Sequence, residues 1–142
     1  MRVSKNFILQ EFIDRDTYET FGVKCIWFID PKVIEIAQLL RDKSKRAVTV
    51  NNWHSGGQYN LSGFRPPSTK IGAKLSQHRF GRGIDVKVEG MTPAQVHELI
   101  YKHEDEFKDT GLTTLEDLRL TKTWTHIDCR QTNKDNIFII GL

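Results

Sequence analysis

The segment from Gly83 to Val88 constrains the fold most, because its residues alternate between apolar and charged as they do along a half-buried strand. Its apolar residues after Gly83 would share one face of the strand, while Asp85 and Lys87 would share the other. Asp85 would then be held on a rigid element and directed away from the apolar layer. Such a carboxylate is a candidate functional group.

A histidine precedes this strand on a loop that contains two glycines. His78 is separated from Asp85 by Gly81 and Gly83, which let the loop turn tightly and come back over the strand. A single histidine is usually a hydrogen-bonded structural residue. The combination of spacing, glycines and strand phase favours a functional role for this one.

A second histidine lies on another predicted strand, 124–129. Trp124, His126 and Asp128 would share one face of that strand, and Cys129 would point the other way. If the two strands are neighbours, His126 points into the same space as Asp85. Two imidazoles and a carboxylate suit a catalytic zinc ion, whose fourth position holds a water that the metal acidifies. We therefore predict one zinc ion, bound by the three ligands His78, Asp85 and His126.

The whole pattern predicts a single α+β domain over residues 1–142, with a mainly antiparallel sheet flanked by helices. Asp30-Pro31 begins a helix that ends near 42–44, and Thr92-Pro93 begins another that ends before Gly111. Residues 1–30 are expected to form an irregular arm packed on the body. Strands are expected at 47–50, 61–65, 83–88, 112–116, 124–129 and 137–140. The aromatic residues expected to pack the arm are Phe7, Phe12, Tyr18, Phe21, Trp27 and Phe28.

Charge and hydropathy exclude two classes of partner. The formal net charge is +3, and the one basic cluster, 43–46, reads as a solvated turn without interleaved aromatic residues, so we expect no nucleic acid ligand. The longest apolar runs, such as 137–140, are far too short to span a membrane. The sequence carries no signal of oligomeric state, and a monomer is the working expectation.

The first residues carry no secretory signal, because the apolar patch at 7–9 is too short. We expect the chain to be made in the cytoplasm and to act elsewhere only after cell lysis or delivery within a particle. Cys25 and Cys129 could form one disulfide, but two free thiols are favoured in a domain of this size. No CxxC pair exists, which excludes a structural zinc ribbon.

Three ordered motifs resemble those of the zinc D-alanyl-D-alanine peptidases. This group includes carboxypeptidases, D-Ala-D-Ala dipeptidases, phage L-alanyl-D-glutamate endolysins and the structurally related Hedgehog signalling domain. The resemblance covers residues 47–130 and leaves the N-terminal arm uncovered. The motifs are Ser62-Gly-Phe-Arg65 (Ser-Gly-Tyr-Arg in the family), Ser76-x-His78-x-x-Gly81-x-Gly83-x-Asp85 (Ser-x-His-x-x-Gly-x-Ala-x-Asp) and Trp124-Thr-His126 (Trp-x-His).

The resemblance implies the Hedgehog/DD-peptidase fold and zinc bound by the three ligands. It implies that Arg65 binds the substrate or its developing oxyanion, with a surface ion pair as the alternative. Ser76 would form a hydrogen bond near the substrate or orient a ligand, with a turn-forming serine as the alternative. Trp124 is placed with the substrate-binding residues.

The chain departs from the family at the catalytic base. Many members carry a glutamate three residues before the last zinc-binding histidine, where this chain has Thr123, which cannot act as a base. Asp128 shares the face of His126 but better suits orientation of that histidine or of Arg65. Glu116 would be folded beside the second histidine by a hairpin. We favour Glu116 as the base, with a salt-bridged surface glutamate as the alternative.

The resemblance implies a zinc metallopeptidase that cleaves peptidoglycan stem peptides, of carboxypeptidase or endopeptidase type. The small size and the absence of a signal and of a wall-binding module fit a phage lysis or virion enzyme better than a secreted housekeeping enzyme. One alternative is a non-catalytic zinc-containing binding module of the same fold, which Thr123 favours. Another is a structural domain without metal.

Overall fold

The sheet of the computed structural model, which describes residues 1–141, has five strands in the order β1-β2-β4-β3-β5. Three neighbouring pairs are antiparallel, and β3 pairs with β5 in parallel. The prediction of an α+β domain with a mainly antiparallel sheet is therefore confirmed, and Leu142 lies outside the described residues. The strands are β1 (Val48–Thr49), β2 (Gly83–Val88), β3 (Thr114–Glu116), β4 (Thr125–Asp128) and β5 (Phe138–Ile140).

Four α-helices are described: α1 (Arg15–Phe21), α2 (Pro31–Ser44), α3 (Pro93–Lys102) and α4 (Glu104–Asp109). The predicted starts of α2 and α3 are confirmed. The Asp30 side chain accepts a hydrogen bond from the backbone of Lys32, and Thr92 forms a capping box with Gln95. No helix within residues 1–141 combines the length and apolar character needed to cross a membrane.

The prediction of one helix from 93 to Gly111 was wrong. The chain leaves helical geometry at His103 (φ −120°, ψ 32°) and starts α4 at the next residue. Three acidic residues at 104–106 form the first turn of α4, where negative charge favours a new helix N-terminus. Phe107 is fully buried, so both helices still contribute to the core.

The two faces of the sheet have different roles. Helix α2 contacts β1 and β2, and α3 contacts β4, so these helices cover one face. That face carries the apolar residues predicted from strand alternation, and Ile84, Val86 and Ile127 are almost completely buried. Asp85 and His126 project from the opposite face, outside the apolar core. The sheet thus acts as a rigid platform for polar side chains.

Residues 1–30 pack on the body as predicted, but they are not irregular. Helix α1 is flanked by two 3₁₀ segments, 9–11 and 22–28, and Asp14 caps α1 by accepting a hydrogen bond from the backbone of Thr17. Phe7 and Phe12 pack in the main core as expected. Phe21 and Trp27 do not, and the Trp27 side chain is 84% exposed. The N-terminal region is therefore part of the folded domain.

The predicted strand at 61–65 was also wrong. This segment belongs to no strand, and its backbone hydrogen bonds go to three separate parts of the chain. Ser62 O accepts a hydrogen bond from the Asp85 amide of β2 (2.7 Å). The Phe64 amide donates to Phe12 O (2.8 Å), and the Arg65 amide donates to His78 O (3.1 Å). Gly63 passes so close to Phe12 that a Cβ atom at this position would lie 2.2 Å from that carbonyl oxygen. The segment thereby connects the N-terminal region to the loop that carries His78.

Candidate metal centre

Strand register places two of the predicted ligands face to face. Asp85 on β2 and His126 on β4 are direct partners across the antiparallel pair. Their side chains lie on the polar face of the sheet, and Asp85 Oδ1 is 2.9 Å from His126 Nδ1. Both positions are fixed by the backbone ladder on either side, so this half of the site is preformed.

The third predicted ligand arrives from the loop before β2. His78 lies on a 3₁₀ turn (Gln77–Phe80) that ends at Gly81, whose φ is +66°. A Cβ atom at Gly81 would lie 1.8 Å from Phe28 O, so only glycine allows the turn to pack here. The turn places His78 Nε2 3.2 Å from Asp85 Oδ1 and 3.2 Å from His126 Nδ1.

In each histidine, the nitrogen that points away from the triangle, here called the outer nitrogen, has a hydrogen-bond partner that fixes the tautomer. His78 Nδ1 faces the backbone oxygen of Gly63 (2.8 Å), and His126 Nε2 faces the Asp128 carboxylate (3.0 Å). Both partners can only accept, so both outer nitrogens carry the proton. In these tautomers the inner nitrogens present lone pairs. Together with Asp85 Oδ1, they bring three acceptors together, and this arrangement needs a proton or a metal ion among them.

The distances suit a tetrahedral zinc ion. The three inner atoms form a triangle with sides of 2.9, 3.2 and 3.2 Å. Ligands bonded to tetrahedral zinc at about 2.0–2.1 Å lie about 3.3 Å apart. Imidazole nitrogens with one carboxylate oxygen are also ligand types that zinc accepts. Within residues 1–141, this is the group of three that could hold a metal ion, as predicted.

The pKa shifts of Asp85 and His126 both favour positive charge at this position. Burial disfavours the carboxylate of Asp85, yet hydrogen bonds from His126 and His78 hold its pKa well below the usual range. Burial likewise disfavours the imidazolium of His126, but hydrogen bonds to Asp128 and Asp85 outweigh burial and raise its pKa to about 9. A metal ion at this position would take the place of that proton.

Two arginines hold the carboxylates around the triangle. Arg65 Nη2 donates to Asp85 Oδ2 (2.8 Å), while Arg65 Nε donates to Leu61 O (2.7 Å). The guanidinium of Arg130 contacts both oxygens of Asp128, which is fully buried. Burial raises the pKa of Asp128, but the contacts with His126 and Arg130 reverse this and lower it. These contacts orient Asp85 and, through Asp128, His126, as outer hydrogen bonds orient the ligands of zinc sites.

The triangle opens into a cavity of about 310 Å³, here called the metal cavity. Glu116 lines this cavity at the end of β3, and its carboxylate forms no salt bridge with any residue in 1–141. Extending the β3–β4 register by one residue places Glu116 opposite His126. The other predicted site residues that line the metal cavity are Arg65, Ser76, His78, Asp85, Trp124 and His126.

The contacts of Asp128 and Arg65 restrict the roles that these two predicted site residues can have. Asp128 does not line the metal cavity and is occupied by His126 and Arg130, so it orients rather than reacts. Arg65 lines the cavity, but two of its N–H groups already donate to Asp85 and to Leu61 O. Thr123 lines a neighbouring cavity instead, and its backbone oxygen accepts a hydrogen bond from Lys87.

Sequence reasoning missed two contacts of the centre. Arg130 continues the alternation of His126 and Asp128, so strand phase could have indicated it. The Gly63 carbonyl that orients His78 is a backbone group and leaves no side-chain signal.

The two cysteines take no part in the centre. Cys25 and Cys129 are buried free thiols, as the sequence favoured. Cys129 projects from the opposite side of β4, and its Sγ donates to Arg82 O. The arrangement can therefore hold one metal ion with an open position toward a cavity that contains a carboxylate.

No protein-family model, curated protein or solved structure matches this chain.

Proposed function

We propose that this chain is a zinc-dependent peptidase that cleaves peptidoglycan stem peptides. The observation that carries the proposal is the triangle of three inward acceptors, opening into a cavity where Glu116 has no salt bridge. An open metal position beside a carboxylate is the arrangement that metal-assisted hydrolysis requires. The motifs in 62–65, 76–85 and 124–126 resemble those of zinc D-Ala-D-Ala peptidases and support the substrate class.

Zinc, when bound, supplies a Lewis acid and lowers the pKa of a coordinated water. Glu116 takes the proton from the attacking water and returns it to the nitrogen of the leaving amine. Glu116 is half-buried and lines the cavity together with two cations, Arg65 and Arg130. Asp128 holds the proton on His126 Nε2, so that Nδ1 stays available to the metal.

The rest of the metal cavity positions the substrate. Arg65 holds Asp85 in place and presents positive charge where the oxyanion develops. Ser76 and Trp124 line the same cavity, and the partly exposed indole offers an apolar surface to a peptide. We assign the five-stranded domain to the Hedgehog/DD-peptidase fold on the same motifs.

Digestion of purified peptidoglycan and defined stem peptides, with products identified by mass spectrometry, tests this function. We expect zinc-loaded protein to release stem-peptide fragments and His78→Ala protein to release none. The matched control is His103→Ala, because that histidine contacts Glu106 far from the cavity. Intact substrates after prolonged incubation with protein shown to contain one zinc per chain would contradict the proposal.

A non-catalytic zinc-binding module is the second candidate, and Thr123 favours it. The family's usual glutamate is absent at this position, so hydrolysis depends on Glu116 as a replacement. Zinc content does not separate the two candidates, because both require the metal. Binding of peptidoglycan without release of any fragment would favour the module.

A further inference from the structure

A second cavity of about 350 Å³ adjoins the metal cavity, and Asp85 and Trp124 line both. The centre therefore lies between two cavities, and a bound peptide can extend on both sides of it. We call this space the Lys87 cavity. Its lining residues are Thr49, Val50, Tyr59, Ser62, Asp85, Lys87, Thr123 and Trp124.

Lys87 is the cation of this cavity, and it has no internal countercharge. Its side chain forms no salt bridge with any of the residues that the structure describes. Arg65 and Arg130 differ in this respect, because they are paired with Asp85 and Asp128. A half-buried cation in a cavity, with no carboxylate paired to it, fits an anionic ligand group.

The ammonium group is also held in position. Lys87 Nζ donates to Thr123 O and lies 5.5 Å from the centre of the Tyr59 ring. An ammonium group has three donors, so donors remain for a ligand. Thr49 and Ser62 line the same cavity, and their side chains carry hydroxyl groups that can donate hydrogen bonds. The site is therefore built for a group that accepts several hydrogen bonds.

The spacing relates this site to the scissile bond. Asp85 and Lys87 are two residues apart on the same face of β2, which corresponds to about 7 Å. An extended peptide advances about 3.3–3.6 Å per residue, so about two substrate residues fit over this distance. Resting on the proposed function, we propose that Lys87 binds a substrate carboxylate within about two residues of the bond that is cut.

A carboxylate at this distance can belong to the C-terminus of the substrate or to an acidic residue within it. Two pairs of stem peptides separate these sources. In the first pair, the acidic residue carries a free carboxylate or a carboxamide, and both C-termini are amidated. In the second pair, no acidic residue is present and the C-terminus is free or amidated. A terminal carboxylate implies carboxypeptidase or dipeptidase action, and an internal one implies endopeptidase action.

The experiment measures kcat/KM for all four peptides with wild type, Lys87→Met and Lys87→Arg. We expect wild type to prefer the carboxylate member of one pair by about tenfold. Lys87→Met should lose that preference, and Lys87→Arg should retain most of it. Lys102→Met on α3 is the matched control and should keep the wild-type ratio. Thermal unfolding of each variant confirms that it is folded.

An unchanged preference in Lys87→Met, or equal rates of wild type on both members of each pair, would overturn the proposal. If wild type cleaves none of the four peptides, the proposed function fails, and calorimetric titration of the same peptides then tests the binding site alone. Wild type should bind one carboxylate peptide about tenfold more tightly than its amide, with the difference lost in Lys87→Met. Equal affinities would reject the site as well.

Discussion

Asp85 and His126 are direct partners across two antiparallel strands, and their side chains meet at 2.9 Å on the polar face of the sheet. The same strands direct Ile84 and Ile127 into the core on the opposite face. Hydrophobic packing on one face therefore fixes the separation of the metal-binding groups on the other. A shift of either strand by one residue would turn its own side chain of the centre toward the core, so the fold and the site depend on the same register.

Removal of the metal should destabilise the protein. Zinc binds only where the three ligands converge, so zinc at a hundredfold excess over its dissociation constant should raise the free energy of unfolding by about 2.7 kcal/mol. Thermal unfolding with zinc and with chelator measures this difference. In His78→Ala the two curves should coincide. Mg²⁺ is the matched control, because it prefers oxygen ligands and should give little stabilisation.

Substitution of the two carboxylates beside His126, Glu116 and Asp128, should impair different properties of the protein. Glu116→Gln keeps the shape of the side chain but removes the base, so turnover should fall at least about 10²-fold while the zinc content stays at one per chain. Asp128→Asn weakens the orientation of His126, so zinc affinity should fall about 10–100-fold. Zinc titration and turnover on the same preparations distinguish the two. Full turnover in Glu116→Gln, with Asp128→Asn inactive and still zinc-bound, would reverse these roles.

Arg65→Lys should reduce catalytic efficiency more than stability. Lysine keeps the charge but lacks the planar fork of the guanidinium, whose Nη2 donates to Asp85 while its Nε donates to Leu61 O. We expect kcat/KM to fall about tenfold with little change in zinc content. Arg79→Lys is a control, because its guanidinium contacts backbone oxygens of the neighbouring loop. A wild-type rate in Arg65→Lys would show that the fork does not contribute.

Both thiols should resist modification in the folded protein. Burial raises the pKa of Cys25, and burial raises the pKa of Cys129 to about 12 from 9.0. At pH 8 the thiolate population of Cys129 is then reduced about thousandfold, and reaction with a disulfide reagent should slow at least in proportion. Two thiols should react in denaturant. Rapid labelling of the native protein would contradict the buried placement.

Strand alternation was sufficient to predict the placement of Asp85 and His126, because their phase is set by the adjacent apolar residues. His78 lies on the turn before β2 and was predicted from its spacing and the two glycines. Helix continuity was harder to read. Ile100 and Phe107 are both fully buried at a spacing that suits one helix, yet His103 separates α3 from α4. Apolar spacing is the same on either side of such a break, so periodicity alone does not reveal it.

Backbone contacts explain the other differences. The segment at 61–65 was predicted to be a short strand, but the amides of Phe64 and Arg65 donate to Phe12 O and His78 O and not to a neighbouring strand. The Gly63 carbonyl that orients His78 is a backbone group, so the pattern of side chains in the sequence does not indicate it either. Contacts of this kind join residues far apart in the chain, and their partners are known only once the fold has formed.

Gly81→Ala should disrupt the turn that carries His78. A side chain at φ +66° costs about 1–2 kcal/mol, and the added Cβ would lie 1.8 Å from Phe28 O. The backbone must therefore shift, which moves His78 away from the other ligands. Zinc affinity should fall, and the free energy of unfolding should fall by more than the cost of placing a side chain at positive φ.

Gly56→Ala is the matched control, since Gly56 also has a positive φ (+85°) but no atom lies within 4 Å of its Cβ position. Gly56→Ala should incur only the cost of positive φ and keep wild-type zinc affinity. Calorimetric zinc titration and denaturant unfolding of both variants separate strain from collision. Equal losses in the two would mean that the contact with Phe28 does not set the position of His78. A larger loss of zinc affinity in Gly81→Ala would mean that it does.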